Sequence, residues 1–159
     1  QRDAEDARAP PSAVTRARQR RAAAISPTVG FGPQGGDGSE NVSVVKSELM
    51  GGFSLKGTMG EPGVAAEKLL STVIAPESSG RECQLMDAFG EERAPGGLVY
   101  QFEYRVRGKG IRRPMRNVGV VAARGSTLFT VTVLAPEENW SNDRGKKYRQ
   151  MARSFRLTF

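Results

Sequence analysis

The stretch from Ser126 to Phe159 constrains this chain most, because it reads as a strand, a sharp turn and an amphipathic helix in that order. From Leu128 to Leu134, Phe129, Val131 and Val133 alternate with Leu128, Thr130, Thr132 and Leu134, and both sets are β-branched, aromatic or aliphatic. A strand with two such faces suits the interior of a sheet covered on both sides. Pro136 has no N–H to give a ladder and ends the strand. Ser141 or Asn142 can then cap a helix, with Asp143 at the positive end of its dipole. Tyr148, Met151, Ala152 and Phe155 follow at i, i+3, i+4 and i+7 as one apolar stripe, with Lys146, Lys147, Arg149, Arg153 and Arg156 mainly off it. Trp140, the only tryptophan, falls in the turn and is expected to pack against that helix rather than stand exposed.

The segments before it complete a compact α+β domain from residue 41 onward. Val42, Val44 and Val45 start a first strand, and Phe53 and Leu55 are read as part of a second. Glu61-Pro62-Gly63 opens a helix with proline near its first turn, and Ala66, Leu69, Leu70, Val73 and Ile74 form its expected buried stripe. Pro76 and Gly80 end it. Residues 82–89 read as a strand. The next, Leu98 to Val106, places Leu98, Tyr100, Phe102, Tyr104 and Val106 on one face and Gln101, Glu103 and Arg105 on the other. Gly108-Lys109-Gly110 turns into a strand from Met115 to Ala123, and Arg124-Gly125-Ser126 turns into the one described first. Strands joined by short glycine loops form an antiparallel meander, and the helices before and after it can cover both faces.

Residues 1–40 differ in kind. They are rich in Ala, Arg, Pro and Gly and nearly free of large apolar side chains, so alone they cannot offset their ordering entropy. The expectation is an extended tail ordered by a partner, with Arg16, Arg18, Arg20 and Arg21 pinning it to an acidic groove. Gly30-Phe-Gly32-Pro-Gln-Gly35 fits the spacing of a dinucleotide-binding turn but not its context. No hydrophobic strand precedes it, Pro33 interrupts it, and Gly36-Asp37-Gly38-Ser39 stands where a helix should begin, so it reads as a linker. The sequence opens on Gln1, as a processed or truncated chain would.

The composition excludes most catalytic chemistry. There is no histidine, and hence neither the commonest general base nor the commonest zinc ligand, and no Ser-His-Asp or Cys-His machinery. The one cysteine, Cys83, cannot form an intramolecular disulfide and reads as a small buried hydrophobe. Only an oxygen-ligand calcium or magnesium site stays open in principle. Glu91-Glu92 and Glu137-Glu138 are sequence neighbours that point apart in extended backbone, so they read as solvated charges rather than catalytic or metal pairs. Ser54 and Ser71 have no visible activating base. No catalytic and no metal-ligating residues are assigned, and the chain is read as no enzyme. The sequons Asn41-Val-Ser43 and Asn139-Trp-Ser141 would be glycosylation acceptors in a secreted protein. No apolar run is long enough to span a bilayer.

What stands out is charge. The chain carries a formal +7, and from Arg105 to Arg116 six cations (Arg105, Arg107, Lys109, Arg112, Arg113, Arg116) occur with no acid. Placed at a hairpin tip, they are the best candidate for docking to an acidic surface. Nucleic acid is disfavoured as that partner: Tyr100, Phe102 and Tyr104 share a core face, leaving no exposed aromatics interleaved with the basic residues.

Several segments carry a resemblance. L-F-T-V-T-V-L-A-P-E-E-N-W followed by K-K-Y-R-Q-M-A-R-S-F-R-L resembles the close of a PsbP-type domain. Upstream, N-V-S-V-V at Asn41, V-A-A-E-K-L-L-S-T-V-I-A-P-E at Val64, L-V-Y-Q-F-E-Y-R-V-R-G at Leu98 and N-V-G-V-V-A-A-R at Asn117 occur in the same order. The resemblance covers residues 41–159. It implies a PsbP-like α/β/α sandwich, a central antiparallel β-sheet flanked by helices, preceded here by the extended N-terminal tail. It further implies a non-enzymatic extrinsic subunit on the chloroplast thylakoid lumen face of photosystem II. Such a subunit is peripheral to the membrane and contacts the photosystem core and other extrinsic lumenal subunits. No cofactor is bound directly; calcium and chloride are retained in the partner complex at the oxygen-evolving centre. The alternative is a PsbP-like auxiliary or assembly factor of photosystem I or another thylakoid complex. Metal sites proposed in the family contain histidine, and this chain cannot inherit them.

Overall fold

The computed structural model describes residues 27–158. Six strands form one sheet: β1 (Val29–Phe31), β2 (Asn41–Glu48), β3 (Arg81–Arg93), β4 (Gly97–Gly108), β5 (Met115–Arg124) and β6 (Thr127–Pro136). Their spatial order is β1-β2-β6-β5-β4-β3, and every neighbouring pair is antiparallel. The meander from β3 to β6 is as read from the sequence. Its last strand lies between β5 and β2, with Val131 opposite Val120 on one side and Val44 on the other. That interior position is why both faces of β6 carry residues suited to packing.

Two helices, α1 (Pro62–Leu69) and α2 (Asn142–Ser154), cover opposite faces of the sheet. Under α2 lie Val99, Val118, Val120, Val131 and Val133, closed by Trp140, Tyr148 and Ala152. Under α1 lie Tyr100, Phe102, Tyr104 and Val121 with Leu55, Ala65, Ala66 and Leu70. Alternation along β4 divides Val99 from Tyr100 and Phe102, so one strand supplies both cores. Each such side chain contributes about 1.5–3 kcal/mol on burial. Trp140 packs on α2 as expected, its ring centroid 4.8 Å from that of Tyr148 and its Nε1–H donated to the Ala135 carbonyl at 3.2 Å. At Gly145 a Cβ would collide with the Trp140 carbonyl, so glycine lets the helix start close against the tryptophan turn.

Four expectations need correction. The segment read as tail up to residue 40 supplies β1, which pairs with β2 through Val29↔Val44 and Phe31↔Val42. Phe53 and Leu55 do not form a strand. Leu55–Met59 is a single wide helical turn, begun by Ser54, whose Oγ accepts the Gly57 N–H at 3.0 Å. The buried stripe after Pro62 also shifts. The helix widens over Leu70–Ile74, where Ala75 N–H bonds Leu70 carbonyl at 2.8 Å, an i to i+5 closure. The wider turn rotates Val73 outward to 52% exposure and leaves Ala65, Ala66 and Leu70 as the buried contacts. In α2, Met151 is exposed while Tyr148 and Ala152 are buried, so the stripe is narrower than its spacing suggested.

Candidate functional site

The basic hairpin sits where β4 turns into β5, and the turn explains its shape. Gly108 has φ +110°, and a Cβ there would lie 2.5 Å from the Gly80 carbonyl, so only glycine allows β4 to end against the start of β3. Lys109 N–H then bonds the Gly80 carbonyl at 2.9 Å.

Four of the six cations are matched by acids from elsewhere in the chain. Arg105 pairs with Glu137 in the turn before α2. Arg107 donates Nε to Glu82 on β3 at 2.8 Å. Arg113 donates Nη1 to Glu138 at 3.2 Å and Nη2 to Ser39 Oγ at 2.9 Å and Asp37 at 3.3 Å. Arg116 turns under α2 and donates Nε to Glu103 at 2.7 Å. Lys109 and Arg112 are exposed, and among the described residues neither has an ion-pair partner. Among the described residues the hairpin is therefore a mostly neutralised scaffold that presents two unpaired cations at its tip. Arg16, Arg18, Arg20 and Arg21 lie outside the described residues.

Beside the tip, a cleft of about 700 Å³ opens between the hairpin and the glycine-rich loop, lined by Asp37, Ser39, Ile111, Arg112 and Met115. Ser39 gives Asp37 both its hydroxyl and its N–H, and with the Arg113 charge nearby these bonds hold the Asp37 carboxyl below the usual carboxylate range. The loop is thus fastened to the hairpin through Arg113.

Beneath α2 lies a charged cluster that no local sequence pattern signals. Glu103, 6% exposed, accepts Arg149 Nε at 2.8 Å and Nη2 at 2.9 Å in addition to Arg116. Burial alone would raise its pKa, but the bonds from Arg149 and Arg116, and their charges, outweigh it and hold the carboxyl below its ordinary value. The two guanidinium groups lie 5.4 Å and 5.8 Å from the Trp140 ring. Arg93, also buried, donates Nη1 to the Ala152 carbonyl and Nη2 to Gln101, both at 2.9 Å. Arg93 and Glu103 thus hold the terminal helix to the sheet from two sides. Gln101 and Glu103, on the polar face read along β4, are thus buried beneath α2.

The remaining candidates do structural work. Glu91 accepts from Arg93 at 2.6 Å, and Glu137 and Glu138 serve Arg105 and Arg113 separately. Ser71 Oγ bonds back to the Glu67 carbonyl of its own helix at 2.9 Å. Cys83 is half-buried, and burial pushes its thiol pKa up. Among the described residues, no three Asp, Glu, Cys or His side chains converge to hold a metal ion. No helix among them is long and apolar enough to cross a membrane.

The sequence pattern of the family described as PsbP matches residues 22–157. The chain belongs to the PsbP family. Two PsbP relatives agree. PsbP domain-containing protein 7, chloroplastic, of Arabidopsis thaliana is 31% identical over 136 residues, covering 82% of this chain and 46% of that protein. CyanoP of Thermosynechococcus vestitus is 35% identical over 105 residues, covering 64% of this chain and 56% of that protein. The chain therefore spans about half the length of the curated relatives it matches. The solution structure of cyanobacterial PsbP (CyanoP) from Synechocystis sp. PCC 6803 superposes with a TM-score of 0.63 at 22% identity, covering 82% of this chain and 81% of that one, and establishes the shared fold. The crystal structure of PA94, a protein of unknown function from Pseudomonas aeruginosa, resembles it at a TM-score of 0.51 and 12% identity, over 84% of this chain and 86% of that one.

Proposed function

We propose that this PsbP-family chain is a non-enzymatic extrinsic subunit on the lumenal face of photosystem II. In this reading its hairpin docks to acidic loops of the photosystem core. By ordering and shielding those loops it helps retain calcium and chloride at the oxygen-evolving centre, binding neither ion itself. The observation that carries the docking is the hairpin tip: among the described residues Lys109 and Arg112 have no ion-pair partner, while the arginines around them are held by internal acids. A tip of fixed shape and positive potential suits docking to a fixed acidic surface, steering encounter and setting register. Family membership supports a photosynthetic partner.

Rebinding to separated photosystem II and photosystem I particles, each stripped of extrinsic proteins, tests it. The expected result is salt-sensitive binding to photosystem II with recovered oxygen evolution at low calcium and chloride. Binding to photosystem I alone would overturn the reading and make the chain an auxiliary or assembly factor there.

A further inference from the structure

A second surface lies away from the hairpin, between β1 and α2. A groove of about 230 Å³ runs there, with Val42, Val133 and Tyr148 in its floor and Phe31, Pro33 and Met151 on its rims. Seven large apolar side chains are exposed among the described residues, and two of them, Phe31 at 68% and Met151 at 47%, line this groove, with Val29 on the same strand as Phe31. Val29 and Phe31 share one face of β1, two residues apart. A contiguous apolar concavity on a chain this polar marks a contact site.

Its charge names the occupant. Lys147 and Arg144 precede Met151 on α2 by four and seven residues, so all three follow one ridge beside the groove. Both cations are exposed, and among the described residues neither has an ion-pair partner; the nearby Asp143 is taken by Lys146. The acid at the groove, Glu40, is already engaged. Tyr148 Oη donates to its Oε1 at 2.7 Å and Asn139 Nδ2 to its Oε2 at 3.4 Å. What is left is an apolar slot bordered by unsatisfied positive charge. Its volume falls below the roughly 300–1,000 Å³ of small-molecule sites and suits one or two side chains. A symmetric second copy would bring the same α2 cations face to face.

We propose that this groove receives a partner segment in which a bulky apolar side chain is flanked by carboxylates. The apolar residue fills the slot between Phe31 and Met151 while the carboxylates meet Arg144 and Lys147. With the hairpin, this gives the domain two contact points on different edges and fixes its orientation on a complex. The inference rests on the photosystem reading only for the source of the partner.

The test places p-benzoylphenylalanine at position 151 or, separately, at position 112 of the full chain. The chain is bound to stripped photosynthetic membranes and irradiated, and the crosslinked peptides are sequenced by mass spectrometry. From position 151 the expected product is a partner peptide with an apolar residue between acidic neighbours. Arg144→Glu and Lys147→Glu should each lower its yield about fivefold. Crosslinks to lipid, to a second copy, to residues of the same chain or to a segment without acids would overturn the proposal, as would none at all. Crosslinking from 112 but not from 151 would reject the groove and leave the docking reading standing. The reverse would keep the groove and reject the hairpin, and failure at both would reject both.

Discussion

Glu103→Gln changes few atoms and should be among the more damaging substitutions in the domain. The carboxylate lies under α2 and accepts from two arginines, through Arg149 Nε and Nη2 at 2.8 Å and 2.9 Å and Arg116 Nε at 2.7 Å. Glutamine keeps the volume but offers one acceptor oxygen and an NH₂ that faces donors. Two guanidinium groups are then left side by side against Trp140, with only the exposed Asp87 across the strand pair as nearby counter-charge. Removing one partner of a buried ion pair costs about 3–5 kcal/mol. The arginines here are 18% and 35% exposed, so water recovers part of that and the lower end, about 3 kcal/mol, applies. For a chain of this length that corresponds to a fall in Tm of about 9 °C. Urea unfolding followed by Trp140 fluorescence reads the change directly, and an unaltered m-value would confirm that the fold is kept. Replacing Glu103, Arg116 and Arg149 together by Leu, Met and Met should cost far less, because no buried charge is left unmatched. A loss below about 1 kcal/mol for Glu103→Gln, or a triple variant weaker than the single, would refute this account of how α2 is held.

Other substitutions test neighbouring parts. Because Glu103 has a lowered folded pKa, its contribution is present above the unfolded value and lost as pH falls toward the folded one; the stability gap between wild type and Glu103→Gln should be full near neutrality and shrink below about pH 4.3. Gly108→Ala forces a Cβ against the Gly80 carbonyl at positive φ and should destabilise by about 2 kcal/mol or more by urea unfolding, whereas Gly125→Ala, with open space around it, should cost less. Arg113→Ala should change global stability by less than about 1 kcal/mol, since its pairs are exposed, yet speed hydrogen exchange at Ser39, whose loop it fastens.

The meander and α2 were legible because strand alternation and helical spacing are local patterns. Val131 and Val133 on one period and Tyr148 and Ala152 on another announce their elements without reference to the rest of the chain. β1 was not legible. Three residues with a central glycine, in a stretch otherwise reading as linker, carry no alternation, and they become a strand only because β2 offers an edge. The role of Glu103 was not legible for a related reason. Its place on the face opposite Tyr104 is as read, but the partner that engages it, Arg149, comes from 46 residues later. The hairpin shows the same limit in charge. No acid occurs between Arg105 and Arg116, yet Glu82, Glu137, Glu138, Asp37 and Glu103 reach them through the fold. Local counting could find the basic segment; only the fold could distinguish Lys109 and Arg112 from cations already used.

That distinction is the centre of the functional account, and one measurement addresses it. Lys109→Glu with Arg112→Glu should leave unfolding unchanged within about 0.5 kcal/mol, since neither has an internal ion-pair partner among the described residues. The same variant should bind stripped photosystem II particles about tenfold more weakly or worse, with a shallower salt dependence, while Lys68→Glu with Arg124→Glu, equal in charge change, binds nearly as wild type. Equal affinity for the hairpin variant and wild type, or equal losses in the two variants, would contradict docking through the hairpin tip.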